Sequence, residues 1–232
     1  MAEPGNDEYP AAVLWDMDGT LVDSERLWDV ALHEAAQWLD SELTTSQRGE
    51  LVGSNMATTA AYLLRNAGCE VTPEALDRVA DWVRSRTATL FSDELPWRPG
   101  AREALLATRA AGWCAALVTS TERSLTELAL RTIGHEHFDV TVCGDEVDGR
   151  NKPDPRPYEL AAEHCGVSPD RCVAVEDSPP GVSAALGAGA AVLGVPCDMP
   201  LEPRAGMVLR ESLLAVDTVV LTDVWRRARA DR

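Results

Sequence analysis

Positive charge is scarce in this sequence. Lysine and arginine together number 21 against 38 aspartates and glutamates, a formal net charge of −17 at pH 7. So acidic a chain is repelled by nucleic acid and by anionic membrane surfaces, and neither is an expected partner. Long apolar runs are missing too. No stretch of about 18 apolar residues occurs, so no membrane-spanning helix is expected. The first ten residues, MAEPGNDEYP, have no basic stretch and no apolar centre, and read as a frayed leader rather than a signal peptide. The six cysteines (Cys69, Cys114, Cys143, Cys165, Cys172 and Cys197) form no C-x-x-C pair. Scattered in this way, they read as buried free thiols in a reducing cytoplasm. The four histidines lack metal-ligand spacing. His135 and His137 flank Glu136 in an expected turn and read as solvated. Internal repeats and low-complexity tracts are also absent.

What is present is a rhythm. With 232 residues, 45% of them hydrophobic, the chain can bury a sizeable core. Short apolar or β-branched runs recur: AAVLW (11–15), CAALV (114–118), FDVTVC (138–143), CVAVE (172–176), AAVLGV (190–195) and DTVVL (217–221). Between several of them lie helical patterns at 99–112, 123–134, 156–166 and 180–189, each closing on a glycine and all but the second with proline near the start. Strand alternating with helix predicts βαβ units, and hence a doubly wound, Rossmann-like parallel sheet covered on both faces. One gap breaks the pattern. Residues 24–97 hold no convincing strand but three amphipathic helical segments, at 27–40, 56–68 and 73–91. This stretch is read as an α-helical cap inserted into a core made of 1–23 and 98–232. VDSE and WRPG at its two crossings are expected hinge points, and the tail VWRRARADR is read as a short final helix followed by disorder.

Ligands of open parallel sheets bind outside the carboxyl ends of the strands, so the residues just past each strand carry the chemistry. The first strand delivers Asp16 and Asp18, the second Thr119 and Ser120, and the fourth Glu176 and Asp177. The loop after the third holds Lys152. Two residues apart on an extended segment, Asp16 and Asp18 project to one side. Carboxylates so close do not both stay ionised unpaired, and a hard divalent cation relieves the conflict. Taken singly, each feature has an ordinary reading. D-x-D-G is most often a turn, Thr119 a helix cap, Lys152 a surface lysine, and Glu176-Asp177 the cap of the next helix. Their coincidence at successive strand ends is what points to a site.

DMDGT (16–20), LVTS (117–120), NKPDP (151–155) and VEDS (175–178) resemble, in order, the four motifs of the haloacid dehalogenase-like superfamily. The resemblance implies a Mg²⁺-dependent hydrolase of a small phosphorylated metabolite. In that reading Asp16 is nucleophile and metal ligand, and forms an aspartyl-phosphate. Asp18 is the general acid and base, with its backbone carbonyl on the metal, and Glu176 and Asp177 complete the coordination. Thr119, Ser120 and the neighbouring amides cradle phosphate, while Lys152 neutralises its charge. VDSERLW (22–28) resembles the cap opening of the hexose- and hexitol-phosphate phosphatases, which implies a sugar or polyol phosphate.

A sugar-phosphate mutase of the β-phosphoglucomutase kind is the alternative. Those relatives have a histidine ten residues after the second aspartate, where this chain has Trp28, and an arginine where GSNMATT (53–59) has none. With both missing, Arg26 and Arg65 are the candidate cap groups to substitute. Hydrolytic dehalogenases lack the second aspartate, and a receiver-type signalling module is half this length and has no cap. Of the seven tryptophans only Trp28 is placed to face the site, and the others read as packing residues. A cytoplasmic monomer is the expected state.

Overall fold

The computed structural model describes residues 8–93 and 95–230. Most of the leader read at 1–10, and the last two residues of the tail, lie outside the described residues. Six strands form one parallel sheet: β1 (Ala12–Trp15), β2 (Cys114–Val118), β3 (Val140–Val142), β4 (Cys172–Glu176), β5 (Ala191–Gly194) and β6 (Met207–Leu209). Their order is β3-β2-β1-β4-β5-β6, all neighbours parallel. Both sides of β1 are therefore occupied, and the order reverses beside it, which is where such sheets place their ligands.

Between β1 and β2 run α1 (Glu25–Trp38), α2 (Thr45–Gly49), α3 (Met56–Asn66) and α4 (Pro73–Leu90), then α5 (Ala101–Ala110). The rest of the chain adds α6 (Arg123–Ile133), α7 (Arg156–His164), α8 (Pro179–Ala188) and α9 (Thr218–Ala230). Alternation along each strand divides the core in two. Val13, Trp15, Leu117, Val173 and Leu193 face α5, α6 and α9. Leu14, Ala116, Val118, Ala174 and Val192 face α7 and α8. Helices α1, α3 and α4 enclose an apolar cluster of their own that includes Leu32, Leu63, Val79 and Val83 and reaches Leu125 of α6. The chain enters and leaves this helical insertion side by side. Val22 bridges Trp97, and Asp23 N donates to Pro96 O at 2.8 Å.

Three expectations need correction. DTVVL (217–221) begins α9 and is not a strand. Its β-branched residues suggest extension, but Asp217 Oδ1 accepts the amides of Val219 and Val220, and Leu221, Val224, Trp225 and Ala228 form a buried helical stripe. The sixth strand is the three-residue β6 instead, too short for periodicity to reveal. Helix α2 was not foreseen, although Thr44 and Gln47 close a capping box at its start and T-x-x-Q was there to be read. The cysteines are not all free or buried. Cys114, which opens β2, is disulfide-bonded to Cys165, which ends α7 packed beside it, and Cys69 is exposed. A separation of 51 residues hid that pairing. Cys143 and Cys172 are buried free thiols, each pushed up to about 12 chiefly by burial. His135 and His137 sit in a short 3₁₀ turn, with His135 Nε2 3.0 Å from Glu127.

Candidate active site at the carboxyl edge of the sheet

Every residue placed just past a strand end in the sequence reading comes to one pocket. Asp16, Asp18, Thr119, Ser120, Lys152 and Asp177 line its core side. Glu176 lies directly behind them, with none of its surface exposed. Lys152 is the only lysine in the chain, and it is 6% exposed. Its Nζ donates to Asp16 Oδ1 at 2.7 Å, to Glu176 Oε1 at 2.6 Å and to the Val118 carbonyl at 2.9 Å. All three donor positions of the ammonium are used, and Nζ also lies within cation–π range of Tyr158, 5.1 Å from the ring centre.

Glu176 is saturated. Oε1 accepts from Lys152 and from the Tyr158 hydroxyl at 2.7 Å, while Oε2 accepts from the Asp177 and Ser178 amides and the Ser178 hydroxyl. Helix α8 begins hard against it. Ser178 caps that helix, and at Gly181 in its first turn a Cβ would overlap the Glu176 carboxylate. Gly19 is needed for a similar reason: its φ is +79°, and a Cβ there would land on Asp177 Oδ2.

Three carboxyls and one ammonium thus share a water-poor edge, and the balance is uneven. Burial, then Glu176, pushes Asp16 up to about 7 against the pull of Lys152. Burial, then Asp16 and Glu176, lifts Asp177 well above the carboxylate range. Burial opposes charge on Lys152, but Asp16 and Glu176 together hold it above its ordinary value. Two oxygens in this cluster, Asp16 Oδ2 and Asp177 Oδ2, are buried without any hydrogen-bond partner. Buried acceptors are rarely left so. Ligand oxygens of Asp16, Glu176 and Asp177 lie within 4.8 Å of one another. The residues therefore fit a hard divalent cation, which takes oxygen ligands and compensates crowded carboxylates.

Asp18 points elsewhere. Its Oδ1 accepts from Ser24 Oγ at 2.6 Å and Trp28 Nε1 at 3.1 Å, and its Oδ2 from Thr121 Oγ1 at 2.8 Å and Thr119 Oγ1 at 3.3 Å. Two of these donors belong to the entry of the insertion and two to the loop after β2, so one carboxylate joins the two layers. Trp28 does face the site, as its position suggested, and serves as a donor. Ser120 Oγ is a buried hydroxyl on the pocket wall with no partner of its own. Asn151 Nδ2 donates to Gly144 O and Gly144 N to Thr121 O, which ties the Lys152 loop to the 119–121 loop.

On the far wall the structure brings in residues that the sequence reading did not single out. Neither Arg26, paired with Asp23 in solvent, nor Arg65 lines the pocket. Arg48 does, held against Glu25 of α1 at 2.5 Å, and burial pushes Glu25 up to about 7 in spite of that pairing. Arg48 lies 23 residues from its partner, and no local pattern announces the pair. Tyr158, in the sequence one more position of a helix, places its hydroxyl on Glu176. Thr121 stands beside Thr119 in the sequence, and its part as a donor to Asp18 emerges only from the fold. Glu122, the N-cap of α6, is clasped by Arg84 of α4 at 2.7 and 3.1 Å.

A family model described as haloacid dehalogenase-like hydrolase matches residues 10–189. The chain is 34% identical over 179 residues to the phosphorylated carbohydrates phosphatase of Thermotoga maritima, covering 77% of this chain and 81% of that protein. It is 31% identical over 210 residues to hexitol phosphatase A of Escherichia coli, covering 84% and 88%. Among solved structures, CbbY from Rhodobacter sphaeroides in complex with phosphate superposes with a TM-score of 0.82 at 30% identity, over 92% of this chain and 99% of that one. A mutant of CbbY has been solved with xylulose-(1,5)-bisphosphate. The matched stretch runs from β1 through α8 and takes in every charged group of the sheet edge, and the chain belongs to the haloacid dehalogenase-like hydrolases.

Proposed function

We propose that the chain is a Mg²⁺-dependent phosphatase that hydrolyses a sugar or polyol phosphate through a phosphoryl group carried on Asp16. The observation that carries this reading is the pairing of Lys152 with Asp16 beside two partnerless carboxylate oxygens. Asp16 Oδ2, Asp177 Oδ2 and the backbone carbonyl of Asp18 are assigned to hold Mg²⁺, and Glu176, already saturated, to hold Lys152. The metal, when bound, supplies positive charge against the phosphoryl oxygens. The chain's own residues do the rest. An Asp16 oxygen forms a bond to phosphorus as the ester P–O bond breaks, and Asp18 donates a proton to the departing oxygen. Asp18 then takes a proton from the water that attacks phosphorus of the aspartyl phosphate; the Asp16 O–P bond breaks, restoring the carboxylate and releasing inorganic phosphate. Lys152, Ser120 and Thr119 stabilise the charge that builds on the transferred group. The names of the Thermotoga and Escherichia relatives support a carbohydrate or hexitol ester.

Hydrolysis is preferred over phosphoryl shuttling because the side chain that α1 itself brings to Asp18, beyond the capping Ser24, is an indole N–H, which donates a hydrogen bond but neither takes nor relays a proton. With β-glucose 1-phosphate, a trace of the 1,6-bisphosphate and Mg²⁺, free phosphate is expected to accumulate faster than glucose 6-phosphate, and excess EDTA to stop both. The opposite product ratio makes the chain a mutase. Full turnover in EDTA removes the metal from the scheme.

Asp18→Asn is expected to lower turnover of an alkyl phosphate by about 10²–10⁴-fold. An aryl phosphate, whose leaving group needs little protonation, should lose much less. Steady-state kinetics on the two esters test this, and equal losses would reduce Asp18 to its structural contacts with Ser24, Trp28 and Thr121.

A further inference from the structure

Among the described residues, the wall facing Lys152 has no spare positive charge. It is built from α1, α2, α3 and the turn between the last two, and presents Glu25, Trp28, Leu32, Arg48, Leu51 and Met56. Arg48 is the one cation among these lining residues, and it is 6% exposed. Its Nη2 hydrogen-bonds Glu25 Oε2 at 2.5 Å, and its Nε lies 2.5 Å from Asp29 Oδ1 in an ion pair that lacks hydrogen-bond geometry. A carboxylate thus meets the guanidinium on each side before any ligand arrives. The other polar groups on this wall are hydroxyls: Ser54 Oγ and Thr59 Oγ1 hydrogen-bond each other at 2.9 Å.

We infer that this wall selects esters whose leaving group is uncharged, a neutral polyhydroxy chain carrying a single phosphate, and rejects bisphosphates and phosphorylated acids. The inference rests on the phosphatase reading above and adds the class of leaving group. A second phosphate or a carboxylate brought to this wall must displace Glu25 or Asp29 from Arg48, or lie beside them uncompensated in a desolvated site. A hydroxyl-bearing chain asks only for hydrogen-bond partners and apolar contact. Ser54, Thr59 and Glu25 offer the first, and Leu32, Leu51 and Met56 the second. Two charges that are both needed on the core side, Lys152 and the metal, are thereby reserved for one phosphoryl group.

The test is a matched series: a hexitol 6-phosphate, the corresponding hexitol 1,6-bisphosphate, and the hexonate 6-phosphate that ends in a carboxylate. Each is assayed with Mg²⁺ for kcat/KM of phosphate release. The wild-type chain is expected to favour the hexitol monophosphate by at least about 100-fold over the other two, since misplaced like charge costs several kcal/mol. Asp29→Asn, at a side chain 48% exposed, and the double change Glu25→Gln with Asp29→Asn should uncover Arg48 stepwise. The preference should shrink at least about tenfold in the double variant, one decade being 1.4 kcal/mol. A wild type that takes the bisphosphate as readily as the monophosphate overturns the inference and leaves the phosphatase reading intact. A preference unmoved in both variants overturns the part given to Arg48 compensation. No phosphate released from any of the three overturns the phosphatase reading itself.

Discussion

Asp16→Asn is expected to abolish turnover and leave the fold in place. The residue comes directly after β1, is 6% exposed, and has one oxygen on Lys152 and the other without a partner. An amide is not a nucleophile toward phosphorus, so a rate below about one per cent of wild type is expected if Asp16 carries the phosphoryl group. The protein itself should not suffer. The amide oxygen can still accept from Lys152, while the NH₂ removes one charge from an edge where burial and Glu176 already push Asp16 up to about 7. A melting temperature equal to or above wild type is therefore expected alongside the dead enzyme. Retention of more than a few per cent of the rate would mean that another group attacks.

Lys152→Ala has the opposite profile, because it damages structure and chemistry together. Removing the ammonium leaves Asp16 Oδ1, Glu176 Oε1 and the Val118 carbonyl facing an empty, buried space. Breaking a buried pair in this way costs about 3–5 kcal/mol. For a chain of this length a kcal/mol is about 2–4 °C in melting temperature, so a fall on the order of 10 °C is expected. Activity should drop at least about 100-fold besides, by the measure of other charge-stabilising donors. Lys152→Met separates the two effects, since it fills most of the volume and restores none of the charge. It should regain part of the melting temperature and none of the rate. Near-wild-type kinetics in either variant would return Lys152 to an ordinary structural ion pair.

The sequence disclosed this site to the extent that its parts are local. Asp16, Asp18, Thr119, Ser120, Glu176 and Asp177 each sit at or just beyond a strand that announces itself by apolar or β-branched composition, so parallel register alone delivers them to one edge. Lys152 lay in a loop with no such guide, and only the motif around it marked it. What stayed hidden depends on direction or distance. Trp28 could be placed near the site but not aimed: that its indole donates to Asp18 results from the first turn of α1. Tyr158 reads as one more apolar helix position until its hydroxyl is found on Glu176. Arg48 and Glu25 meet across two helices, one of them five residues long. Composition also misled once, at Thr218, Val219 and Val220, where a strand-like triplet yields to the capping aspartate before it and the apolar stripe after it.

The side-by-side crossing at Val22 and Trp97 bears on how the chain folds. Ala12 of β1 pairs with Cys114 of β2, about 100 residues away, and closing so long a loop is slow and entropically costly. Once the helices between them have packed around Leu63 and Val79, the two ends of the insertion are held together. The loop that remains to be closed is then roughly a quarter as long. Because closure entropy grows with the logarithm of length, this lowers the cost of the first core pairing by about 1 kcal/mol. Should its helices pack first, the insertion that forms one wall of the pocket would also shorten the path to the sheet and speed the meeting of β1 with β2.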